Sequence, residues 1–223
     1  MKTLITMHVP SEGPGTLGSF LTARNVDIVT VRLYDGESLP PDPSGLDAIV
    51  SMGGPMNVYE DEKYPFLAPE TLFLREALGK GVPMIGVCLG SQMIARAAGA
   101  PVTLSPKKEV GWGKVSLTEA GIGDTLFQGL PPTLEVLQWH EDMFDVPEEG
   151  TLLATSEDCP HQAFRLGKAF GLQFHVEVTR EMLSEWFAGS EQLTGILERY
   201  DHLEPDLNSQ AQTLYENFLS VVG

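Results

Sequence analysis

The chain has 223 residues, 42% of them hydrophobic, and carries 31 acidic against 14 basic side chains, a formal charge of −17. This length fits one domain with a substantial core, and the composition differs from that of disordered chains. The negative charge disfavours nucleic acid and anionic membrane surfaces as partners, because both are themselves negative.

The N-terminus and the cysteine count indicate a cytoplasmic protein with reduced thiols. The segment MKTLITMHVPSEGPG has too short an apolar run for a signal peptide and lacks a small-residue cleavage site. No apolar run approaches the roughly 18 residues of a membrane-spanning helix. The two cysteines, Cys88 and Cys159, are too few for a disulfide framework. Cys159 lies in a Pro-containing loop and is predicted to be solvated.

Strand-like and helix-like patterns alternate through the first hundred residues. The predicted elements are, in order, strand TLITMHV, helix GPGTLGSFLTARN, strands VDIVTVRL and LDAIVSM, a helix from Phe66 to Lys80, strand VPMIGV and helix SQMIARAAG. Strands that alternate with helices predict an α/β fold with a mostly parallel, flavodoxin-like central sheet and helices on both faces.

The pattern after Ala100 becomes β-rich and then helical. The segments KKEVGWGKVSLT, TLEVLQWH and TLLATSE read as strands, and HQAFRLGKAFGLQFH reads as a hairpin with its turn near Gly167–Lys168. From Thr179 onward the apolar residues recur at helical spacing. We expect one domain over residues 1–223, in which residues 180–223 form a C-terminal helical extension packed on the body.

Cys88 lies at the corner between a buried strand and a helix, in the stretch VPMIGVCLGSQMIARAAGA. A strand, a sharp turn and a helix around one nucleophilic side chain form a nucleophile elbow. The turn exposes the side chain at the sheet edge where ligands bind, and the helix N-terminus favours negative charge on sulfur. A buried cysteine that only fills the core is the alternative.

His175 and Glu177 lie two residues apart on a predicted strand, so their side chains are expected on one face. A carboxylate beside a histidine fixes the orientation of a general base. A core histidine or a metal pair are the alternatives. No metal or other cofactor is expected, because no nearby cluster supplies a third ligand at a familiar spacing.

The loop Gly53–Gly54–Pro55 follows another buried strand. Its backbone amides are free of side-chain obstruction, so Gly54 N–H and Leu89 N–H are expected to form an oxyanion hole, with Gly53 beside the substrate. An ordinary Gly-Pro turn is the alternative.

These motifs, in this order, resemble those of class I glutamine amidotransferases. The resemblance rests on the G-x-C-x-G elbow at 86–90, the Gly-Gly-Pro loop upstream and the His-x-Glu pair, and it spans the chain from the first strand to about Thr179. It is closest to the glutaminase domain of GMP synthetase and to stand-alone proteins like it, as CLGSQ, EVGWGKV and QWHEDMFDVP illustrate.

The resemblance implies a Cys-His-Glu triad. Cys88 would attack the γ-carboxamide carbon of glutamine, His175 would act as the base, and Glu177 would orient it. It also implies that Gln92 and the segment Gln138–Trp139–His140 contact the α-amino and α-carboxylate end of the substrate.

Two departures from the family pattern bear on function. This chain has Val176 where members commonly have proline, which leaves the spacing of the pair unchanged. It also shows no ATP-pyrophosphatase segment with a phosphate-binding loop before Gly223, so an ammonia acceptor or synthase is expected on a separate chain.

Three functions remain open from the sequence. The first is a glutaminase-type amidotransferase, either free-standing or supplying ammonia to a synthase partner. The second is a γ-glutamyl peptidase or hydrolase that acts on γ-glutamyl conjugates through the same residues. The third is a catalytically silent regulatory module, which the intact Cys88, His175 and Glu177 argue against.

Overall fold

The computed structural model describes every residue from 1 to 223 and confirms the predicted α/β class. The strands are β1 (Lys2–Met7), β2 (Asp27–Arg32), β3 (Ala48–Ser51), β4 (Met84–Val87), β5 (Val102–Leu117), β6 (Thr133–Phe144), β7 (Thr151–Thr155), β8 (Ala163–Leu166) and β9 (Ala169–Leu172). The α-helices are α1 (Gly15–Ala23), α2 (Leu67–Gly79), α3 (Leu89–Ala97), α4 (Glu119–Gly123), α5 (Arg180–Trp186) and α6 (Leu193–Val222). None of these helices is both long and apolar enough to cross a bilayer.

All nine strands belong to one sheet in the order β2-β1-β3-β4-β9-β8-β7-β5-β6. The pairs from β2 to β9 are parallel, and the pairs from β9 outward to β6 are antiparallel. The β-rich section therefore continues the central sheet. The predicted hairpin is confirmed: β8 and β9 pair directly, and Gly167 takes a φ of +59° in their turn.

Alternate residues of the central strands face two different helical layers. In β1, Leu4 packs with α2 and α3, whereas Ile5 packs with α1 and the end of α6. In β4, Met84 packs in the same layer as Leu4, and Ile85 packs in the same layer as Ile5. Because both faces are covered, these strands are apolar at consecutive positions, which is typical of parallel sheets.

The C-terminal helices follow the predicted pattern. Leu207, Ala211, Leu214 and Phe218 are buried along one stripe of α6. The stripe is divided between two clusters. Ala211, Leu214 and Phe218 pack on the sheet, while Leu207 joins the residues beneath α5.

The carboxyl ends of four neighbouring strands place the residues of interest together. His8 follows β1, Gly53 follows β3, Cys88 follows β4 and His175 follows β9. Ligands of open α/β sheets bind at this edge, and the motifs predicted from the sequence meet there.

Candidate active site

Cys88 occupies a strained corner between β4 and α3. Its backbone has φ +50° and ψ −110°. Apart from glycines, Asn25 is the only other residue with a positive φ. Such a conformation costs of order 1–3 kcal/mol for a residue with a Cβ, and it persists only where the surroundings enforce it. Strain of this kind is common at functional sites.

The two glycines that flank Cys88 allow this corner to form. A Cβ on Gly86 would lie 2.4 Å from the carbonyl carbon of Gly90, and a Cβ on Gly90 would lie 1.9 Å from Ser51 O. The start of α3 is therefore in backbone contact with the ends of both β3 and β4. The G-x-C-x-G spacing is a packing requirement of this turn.

The Cys88 side chain is 6% exposed and contacts two neighbouring segments. Its Sγ lies 3.7 Å from Trp139 O on β6 and 3.7 Å from the Gln173 amide nitrogen. Its backbone N–H donates to Leu172 O at 2.7 Å, which ties the corner to the end of β9.

His175 and Glu177 are in direct contact, but the strand predicted to carry them is absent. Strand β9 ends at Leu172, and His175 makes only an isolated bridge to Leu137. The segment bends because its backbone bonds to different elements: His175 N–H donates to Leu137 O, and Thr16 N–H donates to Glu177 O. The two side chains do lie together, as expected, but the predicted strand is not what brings them together.

The His175–Glu177 pair is buried and hydrogen-bonded. His175 Nδ1 and Glu177 Oε1 are 2.7 Å apart, and Glu177 Oε2 accepts from Val176 N–H at 3.0 Å. Burial alone would lower the pKa of His175, but the charge of Glu177 and the neighbouring Cys88 side chain raise it well above its usual value. A protonated imidazole beside a thiol stabilises negative charge on the sulfur.

A second buried histidine holds the Gly53–Gly54 loop. His8 Nδ1 lies 3.1 Å from Gly53 O and His8 Nε2 lies 2.7 Å from Glu70 Oε2. Because both nitrogens face acceptors, the ring carries both protons. Burial opposes this charge, but Glu70 outweighs it and raises the pKa of His8. Thr6 and Ser51 hydroxyls donate to the other oxygen of Glu70.

This hydrogen bond fixes the direction of the next peptide N–H. The C=O and N–H groups of a trans peptide point in opposite directions, and the chain has no cis peptide. With Gly53 O directed at His8, Gly54 N–H faces away from His8. Gly54 also packs close to Leu89, because a Cβ there would lie 2.9 Å from a Leu89 methyl carbon.

Two cavities lie beside these residues. The first, here called the cysteine cavity, has a volume of about 260 Å³. It is lined by Gly54, Pro55, Met56, Asn57, Cys88, Gln92, Lys108, Trp139, His140, Glu141 and Asp142. The second, here called the tryptophan cavity, has a volume of about 360 Å³. It is lined by Ser11, Glu12, Gly54, Pro55, Trp139, His175, Glu185 and Trp186.

Asp142, one of the residues that line the cysteine cavity, has an unpartnered carboxylate. Both side-chain oxygens of Asp142 are buried and accept no hydrogen bond. Burial and then the proximity of Asp142 raise the pKa of the Tyr59 hydroxyl, although the two groups lack hydrogen-bond geometry. Lys108 pairs with Glu141 nearby. A buried carboxylate without a donor is a ready partner for an ammonium group.

The residues predicted to bind substrate divide into two groups. Gln92, Trp139 and His140 line the cysteine cavity, whereas Gly53 and Gln138 line neither cavity. The Gln138 amide is buried without any hydrogen bond. The Gln92 amide nitrogen already donates to Asp142 O and Gln173 Oε1.

Four residues beside the reactive groups were not found from the sequence as site residues. They are Glu12, Asp142, Glu185 and Trp186. Glu12 could have been found, because it lies in the loop after β1 at the carboxyl edge of the sheet. Trp186 could not, because its position depends on how α5 packs.

Cys159 corrects another expectation, since it is buried and not solvated. Its sulfur, a His140 nitrogen and a Glu109 oxygen lie within 4.8 Å of one another. These atoms already have other roles. Glu109 accepts hydrogen bonds from Ser156 and Gln162, and burial raises the pKa of the Cys159 thiol. We therefore interpret the group as a hydrogen-bonded support for His140.

Comparison with known proteins gives a consistent result. A family model described as glutamine amidotransferase class-I matches residues 19–186. The glutamine amidotransferase-like protein YfeJ of Salmonella typhimurium is 35% identical over 196 residues, which cover 86% of this chain and 82% of that protein. A glutamine-hydrolysing GMP synthase of Thermosipho africanus is 34% identical over 172 residues, covering 73% of this chain but 31% of that enzyme. The chain thus spans between about a quarter and a third of the GMP synthases that it matches.

Solved structures share the fold. A glutamine amidotransferase from Thermotoga maritima superposes with a TM-score of 0.90 at 33% identity and covers 98% of this chain and 97% of its own. A glutamine amidotransferase from Methylobacillus flagellatus superposes with a TM-score of 0.89 at 29% identity, covering 98% and 94%.

Proposed function

The chain belongs to the class I glutamine amidotransferase family, and we propose that it hydrolyses the γ-glutamyl amide bond of glutamine through a thioester on Cys88. One observation carries this proposal. The strained Cys88 is near enough to His175 to help raise its pKa, and His175 belongs to a buried pair with Glu177 whose nitrogen and oxygen are 2.7 Å apart. Nucleophile, base and orienting carboxylate are the parts that covalent acyl transfer requires.

The first step forms the thioester. His175 takes the proton of the Cys88 thiol and the sulfur attacks the γ-carbonyl carbon, so that a C–S bond forms and the carbonyl π electrons move to oxygen. When the tetrahedral intermediate collapses, the C–N bond breaks and His175 gives its proton to the departing nitrogen. Ammonia leaves, and the glutamyl group remains on sulfur.

The second step releases glutamate. Water attacks the thioester carbon while His175 takes one of its protons, and collapse of this intermediate breaks the C–S bond. The sulfur leaves as a thiolate, and return of the proton from His175 to the sulfur restores the starting state. Glu177 keeps the imidazole oriented through both steps and stabilises its charge.

The oxyanion of both intermediates is assigned to Gly54 N–H and Leu89 N–H. The first N–H is directed by the hydrogen bond from His8 to Gly53 O, and the second begins α3 directly after Cys88. Fixed backbone donors of this kind stabilise developing charge without reorganisation. We assign His8 and Glu70 as positioning residues for the first donor.

The glutamyl end of the substrate is assigned to the cysteine cavity. Asp142 is suited to the α-ammonium group, because its buried oxygens accept no hydrogen bond. Lys108, at the same cavity, is suited to the α-carboxylate. Trp139 and His140 shape the wall, and Gln92 holds the backbone of Asp142 in place.

Substitution of the two cysteines tests this function. Cys88→Ala is expected to abolish ammonia release from glutamine, because the only proposed nucleophile is gone, while Cys159→Ala remains active as the matched control. A glutamine-like electrophile is expected to label Cys88 and not Cys159. Undiminished turnover by Cys88→Ala, or no labelling at Cys88, would contradict the mechanism.

Two extensions follow from the same site. The released ammonia could pass to a synthase, as the likeness to part of the GMP synthases suggests. Alternatively, the substrate could be a γ-glutamyl conjugate, which the tryptophan cavity beside His175 favours. The reaction fits the cytoplasm, where a free catalytic thiol stays reduced. A silent module is disfavoured, since His175 and Glu177 are in contact and the Cys88 side chain is near enough to help raise the pKa of His175.

A further inference from the structure

The tryptophan cavity lies where the leaving group of the proposed reaction must go. Cys88 lines only the cysteine cavity and His175 lines only the tryptophan cavity, whereas Gly54, Pro55 and Trp139 line both. The scissile bond therefore sits between the two spaces. Because His175 protonates the departing nitrogen, the amine leaves on the side of the tryptophan cavity.

This cavity is much larger than ammonia requires. Its volume is about 360 Å³, against about 260 Å³ for the cavity assigned to the glutamyl group. A water molecule, close to ammonia in size, occupies roughly 30 Å³. The space matches an organic amine of several heavy atoms.

The wall of the cavity is rigid and aromatic. Trp186 Nε1 donates to Ser11 O at 2.8 Å, which fixes the indole ring. The same ring meets His175 edge-on at 5.0 Å between centroids and Trp139 edge-on at 5.9 Å. Phe187 supports Trp139 from behind at 4.3 Å. The aromatic surfaces are thus in place before any ligand binds.

Two carboxyl groups line the cavity, and its one basic side chain, His175, is paired with Glu177. Glu12 and Glu185 are its carboxyl groups, and no lysine or arginine lines it. The Glu12 carboxyl forms no hydrogen bond with the protein, and its burial raises its pKa. Carboxylates together with indole rings are the recognition chemistry of organic cations.

We propose that the tryptophan cavity binds the amine portion of a γ-glutamyl amide, and that this amine carries a second, positively charged group. The inference rests on the proposed function and specifies its substrate class. Conjugates of ordinary amino acids would place a carboxylate near Glu12 and Glu185, so they are disfavoured. The preferred substrate is a γ-glutamyl conjugate of a linear diamine or a similar cationic amine.

A matched substrate series tests the proposal with the full chain. Three γ-glutamyl amides are compared with glutamine: one of a short linear diamine, one of the alkylamine of equal length, and one of the amino acid with its carboxylate at the equivalent position. We expect kcat/KM for the diamine conjugate to exceed that of the neutral conjugate by about tenfold or more. The anionic conjugate is expected to be the poorest of the three.

Two variants test whether the preference for the diamine conjugate comes from the carboxylates of the tryptophan cavity. Glu12→Gln and Glu185→Gln are each expected to lower the diamine-to-alkylamine ratio of kcat/KM about threefold or more. Glu191→Gln makes the same charge change on an exposed residue outside the cavity and should leave the ratio unchanged.

The outcomes separate this inference from the proposed function. If glutamine is hydrolysed but the diamine conjugate is not preferred over the neutral one, the inference is wrong and the proposed function stands. An unchanged ratio in both cavity variants would also overturn it. If no substrate is hydrolysed and Cys88 resists a glutamine-like electrophile, the proposed function itself fails.

Discussion

The backbone of Cys88 shows what it costs to place a reactive side chain at a strand-to-helix corner. Its φ of +50° is one that glycine adopts freely and other residues avoid. Gly86 and Gly90 make room for the turn, while Cys88 itself bears the strain. Stability is thus given up at the residue that the proposed chemistry needs.

This strain gives a prediction for two inactive variants. Cys88→Gly is expected to be more stable than Cys88→Ala by about 1 kcal/mol, because relief of the strain exceeds the extra chain entropy of glycine. Urea unfolding of both variants measures the difference, and Ala serves as the control for loss of the sulfur. Equal stability, or a more stable Ala variant, would show that the corner is unstrained.

The His8–Glu70 pair gives a prediction about rate. In His8→Leu no N–H is left to donate to Gly53 O, so the Gly53 peptide loses its fixed direction. We expect kcat for glutamine to fall about tenfold or more with little change in KM, as for loss of an oxyanion donor.

The control for this prediction is Thr6→Val, which removes a hydrogen bond to Glu70 but keeps the His8–Glu70 contact. It should cost stability with a much smaller effect on kcat. Equal losses of kcat in the two variants would assign the pair a purely structural role.

At the level of elements, the close contact of α3 with β3 depends on Gly90. A Cβ there would lie 1.9 Å from Ser51 O, so the helix would have to shift. Gly90→Ala is expected to destabilise the fold by about 3 kcal/mol or more and to lower activity with it.

Gly79, the last residue of α2, provides the control because a Cβ there meets nothing within 4 Å. Gly79→Ala should be neutral or stabilising by up to about 1 kcal/mol. Chemical unfolding of both variants checks the pair. A tolerated Gly90→Ala would mean that the corner has room that the structure does not show.

The elements also show how far the sequence could predict this molecule. The parallel centre of the sheet, the hairpin at Gly167 and the terminal helices were all predicted, because burial on one or both faces leaves a periodic trace. The bend at His175 was missed, because its cause is non-local. His175 bonds to Leu137 and Glu177 bonds to Thr16, and both partners are distant in sequence.

Part of the site was predicted from the sequence and part of it was not. Cys88, His175, Glu177 and the Gly53–Gly54 loop lie in short local motifs, and the structure brings them to one edge. The walls of the cavities were not predicted, since Trp186 and Asp142 reach them only through the packing of α5 and β6.

For the whole molecule, buried titratable groups predict how stability varies with pH. Glu70 opposes the effect of burial at His8, and Glu177 does so at His175, so both histidines have raised pKa values in the folded state. Their contributions to the free energy of unfolding are fully present below the unfolded histidine pKa of about 6.5. These contributions are lost as pH rises through the raised pKa values of the folded state. Burial raises the pKa of Glu12, so this group also lowers the free energy of unfolding as pH rises.

Glu70 acts in the opposite direction. Burial opposes its charge, but His8 and the hydroxyl donors lower its pKa. Its contribution is therefore present above the unfolded value of about 4.3 and is lost as pH falls through the lowered one. Urea unfolding across pH should give maximal stability between about pH 4.5 and 6.5 and a decline above it. Stability that rises steadily above pH 6.5 would contradict these assignments.

The most direct test of the central claim is to trap the enzyme during turnover of glutamine and to map any acyl adduct by mass spectrometry. The proposed mechanism predicts a γ-glutamyl group on the peptide that contains Cys88, none on the peptide that contains Cys159, and none in Cys88→Ala. Ammonia release without an adduct on Cys88, or an adduct that persists in Cys88→Ala, would contradict it.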